Sequence, residues 1–401
     1  MKQLPEEFWN FIGARLFFVL GIRMITTIVI YQVFHLANTY MVGIAGLAEF
    51  IPAVIAALYA GHYIDKHNKK NILVFAYAFY VLCGIALAIV SLPQVNSAVD
   101  TKIIIILAVV FCTGIIRSFA GPAANSMIAA MVSKQQLQKA VSINSSTWLV
   151  SSIIGHATGG LLIALAGIAN AYFVTAVLIF IAILFALQLK PKPPIAKKQD
   201  ETLLTGIKKG FSYVYHNKNL LGVISLDLFA VLFGGAAAFI PEIAEKVLHT
   251  NAIGYGFLNA AMDIGSLVCI LWLLYFPMKK RQGLKMLLCV AGFGLFIILF
   301  AFSKMYWLSF TVLMAAGICD AVSVVVRGTI MQLNTPDELR GRVASINLIF
   351  INSSNELGQF ESGVTSRWFG TIPAIWIGGV MSIGIVAATW FKFPNLRKLE
   401  Y

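Results

Sequence analysis

The chain has 401 residues, 59% of them hydrophobic and 12% charged, with a mean hydropathy of +0.84. A soluble globular chain is roughly 45–50% apolar and 25% charged, so water cannot be the solvent for most of this surface. The net charge of +13 could suggest nucleic acid, but its placement along the chain makes it a topology signal instead.

The chain opens MKQLPEEFWN, with one Lys ahead of Glu6 and Glu7. A cleavable signal peptide carries a basic start, a short apolar core and a small-residue cleavage site, so the first helix is expected to be retained. Apolar runs follow at 11–35, 39–61, 71–92, 103–131, 139–167, 170–189, 219–243, 253–276, 284–302, 305–333, 343–368 and 371–391. Pro93-Gln94 with Asn96, Pro191 to Pro194, Pro277, Asn334 to Pro336 and Gly370 to Pro373 separate several of them. A spanning helix takes roughly 20 apolar residues, so the expected architecture is all-α, with twelve transmembrane helices and no folded soluble domain.

The longest polar stretch, 190–218, opens with KPKPP, which should be extended and unpacked. Within it Leu204, Ile207, Phe211 and Val214 recur at helical spacing opposite Lys208 and Lys209, the pattern of an amphipathic helix on a membrane face. The expected division is a six-helix bundle over 1–189, a cytoplasmic linker over 190–218 and a second six-helix bundle over 219–401. An internal repeat supports it. SKQQLQKAVSIN precedes Gly155-His156-Ala157-Thr158-Gly159-Gly160, and TPDELRGRVASIN precedes Gly358-Gln359-Phe360-Glu361-Ser362-Gly363. From each SIN onward the two align without a gap, pairing Gly155 with Gly358 and Gly160 with Gly363.

On this layout, 22 of the 30 Lys and Arg fall in ends and loops of one side, and the opposite side has only Lys102, Lys246, Lys304 and Arg367. Short loops rich in Lys and Arg stay cytoplasmic, so both termini are expected inside. The five cysteines stand singly in apolar runs without metal or redox spacing. They read as packing residues, and neither metal nor cofactor is expected.

The loop after the second run reads Gly61-His62-Tyr63-Ile64-Asp65-Lys66-His67-Asn68-Lys69-Lys70. It resembles the signature loop of the major facilitator superfamily, Gly-x-x-x-Asp-(Arg/Lys)-x-x-(Arg/Lys)-(Arg/Lys). In that reading Gly61 permits close helix approach, Asp65 faces a helix N-terminus, and Lys66, Lys69 and Lys70 hold the loop inside. The resemblance makes the loop a gating latch rather than a substrate site. The matching loop of the second half, Phe276 to Arg281, keeps the charge and loses the Gly and Asp. Arg117-Ser118-Phe119-Ala120-Gly121 is similar to the family's fourth-helix Arg-x-x-Gln-Gly, with Ala120 in place of Gln. Gly155, His156, Gly159 and Gly160 match the exporter-associated Gly-Pro-x-x-Gly-Gly, with His156 in place of Pro. The stretch from Asp320 to Gly363 resembles the branch that includes the bacterial enterobactin exporter and macrolide-efflux proteins. The resemblance implies two pseudo-symmetric six-helix bundles in a bacterial inner membrane, with a binding site at their interface. A monomer is expected.

Ten charges lie well inside apolar runs, away from their ends: Arg15, Arg23, Glu49, Arg117, Asp227, Asp263, Asp320, Arg327, Glu356 and Glu361. Each would cost roughly 2.5–3.5 kcal/mol facing lipid, so they must face one another or a wet cavity. At about 1.5 Å of rise per residue, Glu49, Asp263 and Glu356 fall near mid-bilayer, with Arg117 and Asp320 toward the inner half. The repeat sets Asp320 close to the counterpart of Arg117. Some of Glu49, Asp263, Asp320 and Glu356 are candidates to exchange protons; the competing reading locks each in a structural ion pair. His156 is either a titrating group or a hydrogen-bonded packing residue. The run Asn352 to Asn355 either lines a cavity or bonds neighbouring helices, and Phe17, Tyr31, Trp148 and Phe229 are candidate cavity aromatics.

The expected function is secondary active, proton-driven export of a siderophore or amphiphilic drug-like compound by alternating access. Alternatives are lysophospholipid flipping, nutrient import or a non-transporting receptor. No phosphate-binding loop, His-Glu-x-x-His or Gly-x-Ser-x-Gly occurs, which argues against an ATPase and against an enzyme. The expected partners are a small molecule, protons and lipid.

Overall fold

The computed structural model describes residues 4–95, 98–192, 203–278, 280–336 and 339–400, and every regular element among them is a helix. The first four apolar runs lie on α1 (Glu6–Leu36), α2 (Thr39–Lys66), α3 (Lys69–Val90) and α4 (Val99–Met131). The fifth and sixth share one element, α5 (Lys134–Leu187), broken at Gly167 where φ is 80° and ψ is 168°. The linker carries α6 (Leu203–His216), followed by α7 (Lys218–Gly234). The seventh run was expected to stay helical to 243. Its helix stops at Gly234, and the chain turns into the short α8 (Ile240–Glu242) and a π-helical turn at Ile243–Val247. The last five runs lie on α9 (Ala252–Tyr275), α10 (Gln282–Phe302), α11 (Tyr306–Leu333), α12 (Arg340–Phe369) and α13 (Thr371–Lys392), with α14 (Pro394–Arg397) after them.

Among the described residues, nine helices are long and apolar enough to cross a membrane, and α7 makes a tenth when joined to the end of α6. α12 falls outside that number because Asn352, Asn355, Glu356 and Glu361 dilute its apolar content, and α5 counts once although it holds two runs. Large apolar side chains point outward, with Phe75, Leu165, Trp272 and Phe391 all largely exposed. In water such a surface would aggregate; in a bilayer it faces lipid.

The repeat seen in sequence recurs in the backbone. Gly167 and Gly370 stand at the same interval as Gly155 and Gly358, and they are the two glycines with positive φ among the described residues, at 80° and 86°. With ψ near 160–170° this conformation is essentially confined to glycine. Each therefore makes a one-residue corner between two spans, within α5 in one half and between α12 and α13 in the other.

By internal contacts the chain forms two compact units. One comprises residues 1–37, 48–198 and 251–260; the other comprises 38–47, 199–250 and 261–401. The starts of α2 and α9 thus belong to a different unit from the rest of their helices.

Candidate functional site: intramembrane charges and glycine crossings

In the first unit, α1 and α5 run parallel in constant register. Arg15 Nε donates to Asn144 Oδ1 at 3.3 Å, and twelve residues further along both helices Thr27 Oγ1 meets His156 Nδ1 at 2.7 Å. Between them Arg23 stacks over Trp148, 4.6 Å from the ring centroid. The glycines of the helix 5 motif permit this. A Cβ at Gly155 would stand 2.7 Å from Arg23 Cβ and 2.8 Å from the Leu20 carbonyl oxygen, and one at Gly159 would stand 3.3 Å from Thr27 Cβ. Gly160 faces α9 instead, with Gly256 Cα 2.7 Å from its notional Cβ. Thr27 closes the seam: its carbonyl accepts from the buried Tyr255 hydroxyl at 2.9 Å.

Arg117 on α4 donates to Glu49 on α2 at 2.7 Å, with side chains about a quarter exposed. The pair sits where the helices touch most closely. A Cβ at Gly114 would lie 3.1 Å from both the Glu49 carbonyl carbon and Pro52 Cγ, and Ser118 Oγ donates to the Ala53 carbonyl at 2.7 Å. The signature loop behaves differently from expectation. Gly61 is exposed, and among the described residues no atom lies within 4 Å of a notional Cβ there. Lys69, expected as a loop charge, is buried, while Lys66 is exposed and Lys70 Nζ donates to the Leu187 carbonyl at 2.7 Å. The Asp65 side chain lies outside the described residues.

The second unit repeats the crossing with different charges. α9 and α11 meet at Gly265 and Gly317, where notional Cβ atoms would stand 2.8 Å from the Met314 carbonyl carbon and 2.7 Å from that of Met262. Ser266 Oγ donates to the Gly317 carbonyl at 3.1 Å. Arg117 stands three residues after Gly114, and Asp320 stands three residues after Gly317. Opposite it on α9, Asp263 follows Met262 and is close enough to act on the charge of Asp320. Where one unit holds an ion pair, the other therefore holds two acids.

Asp227 on α7 and Arg327 on α11 form a buried ion pair, 9% and 4% exposed, amid Val223, Leu226, Val326 and Ile330. Glu356 is buried on α12, and Glu361 is half-buried a little over one turn later. The repeat glycines match in role. Gly358 approaches α7, with a notional Cβ 3.0 Å from the Leu232 carbonyl oxygen, and Gly363 approaches α2, 2.9 Å from Gly43 Cα. Among the candidate aromatics, Phe17 stacks on Phe185 and Tyr31 packs against His35 and Tyr255, while Trp148 lies under Arg23. Phe229 is exposed. Side-chain placement of Asn352 lies outside the described residues; Ser354 donates to the Ile351 carbonyl and Asn355 does likewise, so both are bonded within their own helix.

One group escaped the sequence reading. Glu242, beyond the end of α7, accepts from Thr39 at the start of α2, from Thr371 at the start of α13 at 2.7 Å, and from Lys246 at 3.1 Å. Burial alone would push this carboxyl up, but those hydrogen bonds together with the Lys246 charge outweigh it and hold it below the ordinary carboxylate value. Its only sequence signal was a lone Glu after Pro241 at the edge of an apolar run.

Similarity to known proteins agrees with this architecture. The family described as transmembrane secretion effector, within the major facilitator superfamily, matches residues 29–400. The chain belongs to that family; it is a multi-pass membrane transporter and not an enzyme. The enterobactin exporter EntS of Shigella boydii serotype 4 is 26% identical over 310 residues, covering 76% of this chain and 72% of the relative. The same exporter of Escherichia coli O1:K1 shows the same identity and coverage. Among solved structures, a D-xylose–proton symporter aligns with a TM-score of 0.75 at 13% identity, covering 98% of each chain. A bacterial homologue of the human lysosomal transporter Spinster aligns with a TM-score of 0.74 at 14% identity, covering 99% of this chain and 97% of that one.

Proposed function

We propose that this transporter exports a partly apolar small molecule, a siderophore or similar amphiphile, in exchange for protons. The observation carrying the reading is the substitution of charge at equivalent crossings, Glu49 with Arg117 in one unit and Asp263 with Asp320 in the other. The first pair neutralises itself. Two neighbouring acids repel when both are ionised, and one proton held between them removes that repulsion. A proton taken up and released there would couple to movement of α9 against α11. The enterobactin cargo named for the relatives supports the direction and the class of substrate. The skewed Lys and Arg distribution supports cytoplasmic termini with the linker 190–218 on the inner side. Kinship with bacterial exporters supports an inner-membrane location, and the internal repeat supports two six-helix bundles. The protein acts as a monomer in this scheme, rocking the bundles to expose the route alternately.

The test is efflux of catecholate siderophores and amphiphilic dyes from cells with and without the gene, with and without an uncoupler. Asp263→Asn and Asp320→Asn are each expected to abolish the uncoupler-sensitive component while the protein still reaches the membrane. Retention of that component in both variants would remove these acids from the mechanism. Equal retention of every compound with and without the gene would overturn export itself.

A further inference from the structure

We propose that α6 is a docking surface for anionic phospholipid headgroups, with Phe211 and Tyr215 seated in the bilayer boundary and Lys209 and Lys218 facing the headgroup phosphates.

The corner that orients α6 is built rather than loose. Asn217 N–H donates to the Tyr213 carbonyl at 3.1 Å, closing α6, while Asn217 Oδ1 accepts from the Asn219 and Leu220 backbone N–H groups and caps α7. The two helices meet at 97°, so if α7 crosses the bilayer, α6 lies along its surface. One side of α6 is fixed to protein. A Cβ at Gly210 would stand 2.9 Å from Ile346 Cδ1 and 3.1 Å from Arg342 Cβ, Tyr213 Oη donates to the Asn334 carbonyl at 2.7 Å, and Val214 is buried.

The sequence pattern had set Phe211 and Val214 on a single apolar face. The structure divides them, because 100° per residue separates the protein-facing side of Gly210 and Val214 from a second apolar side. On that second side Phe211 and Tyr215, one turn apart, are 52% and 62% exposed. Lys209, Ser212 and His216 are exposed along the remaining edge. A helix with one face on protein, an aromatic face and a basic polar edge fits the headgroup boundary of a membrane. The surroundings add positive charge: Lys218 is exposed at the start of α7, and α14, carrying Arg397, packs on α7 one turn further at Gly222, with Lys398 next in the chain. Basic groups at this depth attract anionic lipids through a field that salt screens. Through Gly210 and Tyr213 any force on α6 passes to α11 and α12.

The full chain in nanodiscs gives the test, using hydrogen exchange of 203–218 in pure phosphatidylcholine and in discs with about a third phosphatidylglycerol. Exchange is expected to be about tenfold slower with the anionic lipid at about 0.15 M salt, and the difference to shrink at about 1 M. Lys209→Gln with Lys218→Gln should erase the dependence on lipid composition. Phe211→Ser with Tyr215→Ser should speed exchange in both lipids. Unchanged protection of 284–302 serves as the control for folding. Equal exchange in the two lipids, or a lipid dependence that survives the lysine variant, overturns the proposal.

Discussion

Burial sorts the intramembrane charges by what each can do. Asp227 and Arg327 are enclosed by apolar side chains and keep only 9% and 4% of their side-chain surface exposed, so they fasten α7 to α11. Removing one partner of such a pair strands the other; Arg327→Ala should cost about 3–5 kcal/mol, and Asp227→Leu with Arg327→Met should recover most of it. Thermal midpoints of the purified protein measure both, and an Arg327→Ala midpoint equal to wild type would end the idea. Glu49 and Arg117 keep about a quarter of their side-chain surface open, so this pair is less enclosed than Asp227 with Arg327. Glu242 adds a pH dependence of known sign. Its carboxyl is held below the ordinary value, so its contribution is complete above an unfolded pKa of about 4.3 and fades as acid takes the pH through the depressed value. Glu242→Gln should therefore melt below wild type at neutral pH, with the gap closing in strong acid. A gap independent of pH would show that Thr39 and Thr371 are held without help from charge.

At the scale of elements, glycine sets how near two helices come, and the positions divide cleanly. Gly155→Ala would drive a methyl into Arg23 and should lower stability, whereas Gly121→Ala and Gly384→Ala meet no described atom within 4 Å and should raise it slightly. Melting the three variants side by side checks this, and a silent Gly155→Ala would mean that α5 can slide on α1. The motif around Gly155 was legible in sequence, but its division of labour was not. Gly155 and Gly159 serve α1 while Gly160 serves α9, and nothing along one helix says which neighbour each face will meet. The constant register of α1 with α5 was likewise hidden, since Arg15 and Asn144 are far apart in the chain. The twelve apolar runs were readable because a bilayer demands about 20 apolar residues per crossing. Where polar chemistry breaks that demand, at Glu242 and along α12, composition alone misplaced an end or hid a bond.

At the scale of the molecule, duplication is the informative signal. A short sequence match around two SIN motifs paired Gly155 with Gly358 and Gly160 with Gly363, and the structure shows all four in close approach to a neighbouring helix. The match also anticipated where equality would fail, since an acid replaces the base at one of two matching crossings. The corners at Gly167 and Gly370 carry the duplication furthest. A corner of one residue leaves no length to spare, so the two arms of α5 can change angle but their adjoining ends cannot draw apart, and the same holds from α12 to α13. Each such elbow is a shared pivot: any change of angle between its arms falls on the φ and ψ of a single glycine.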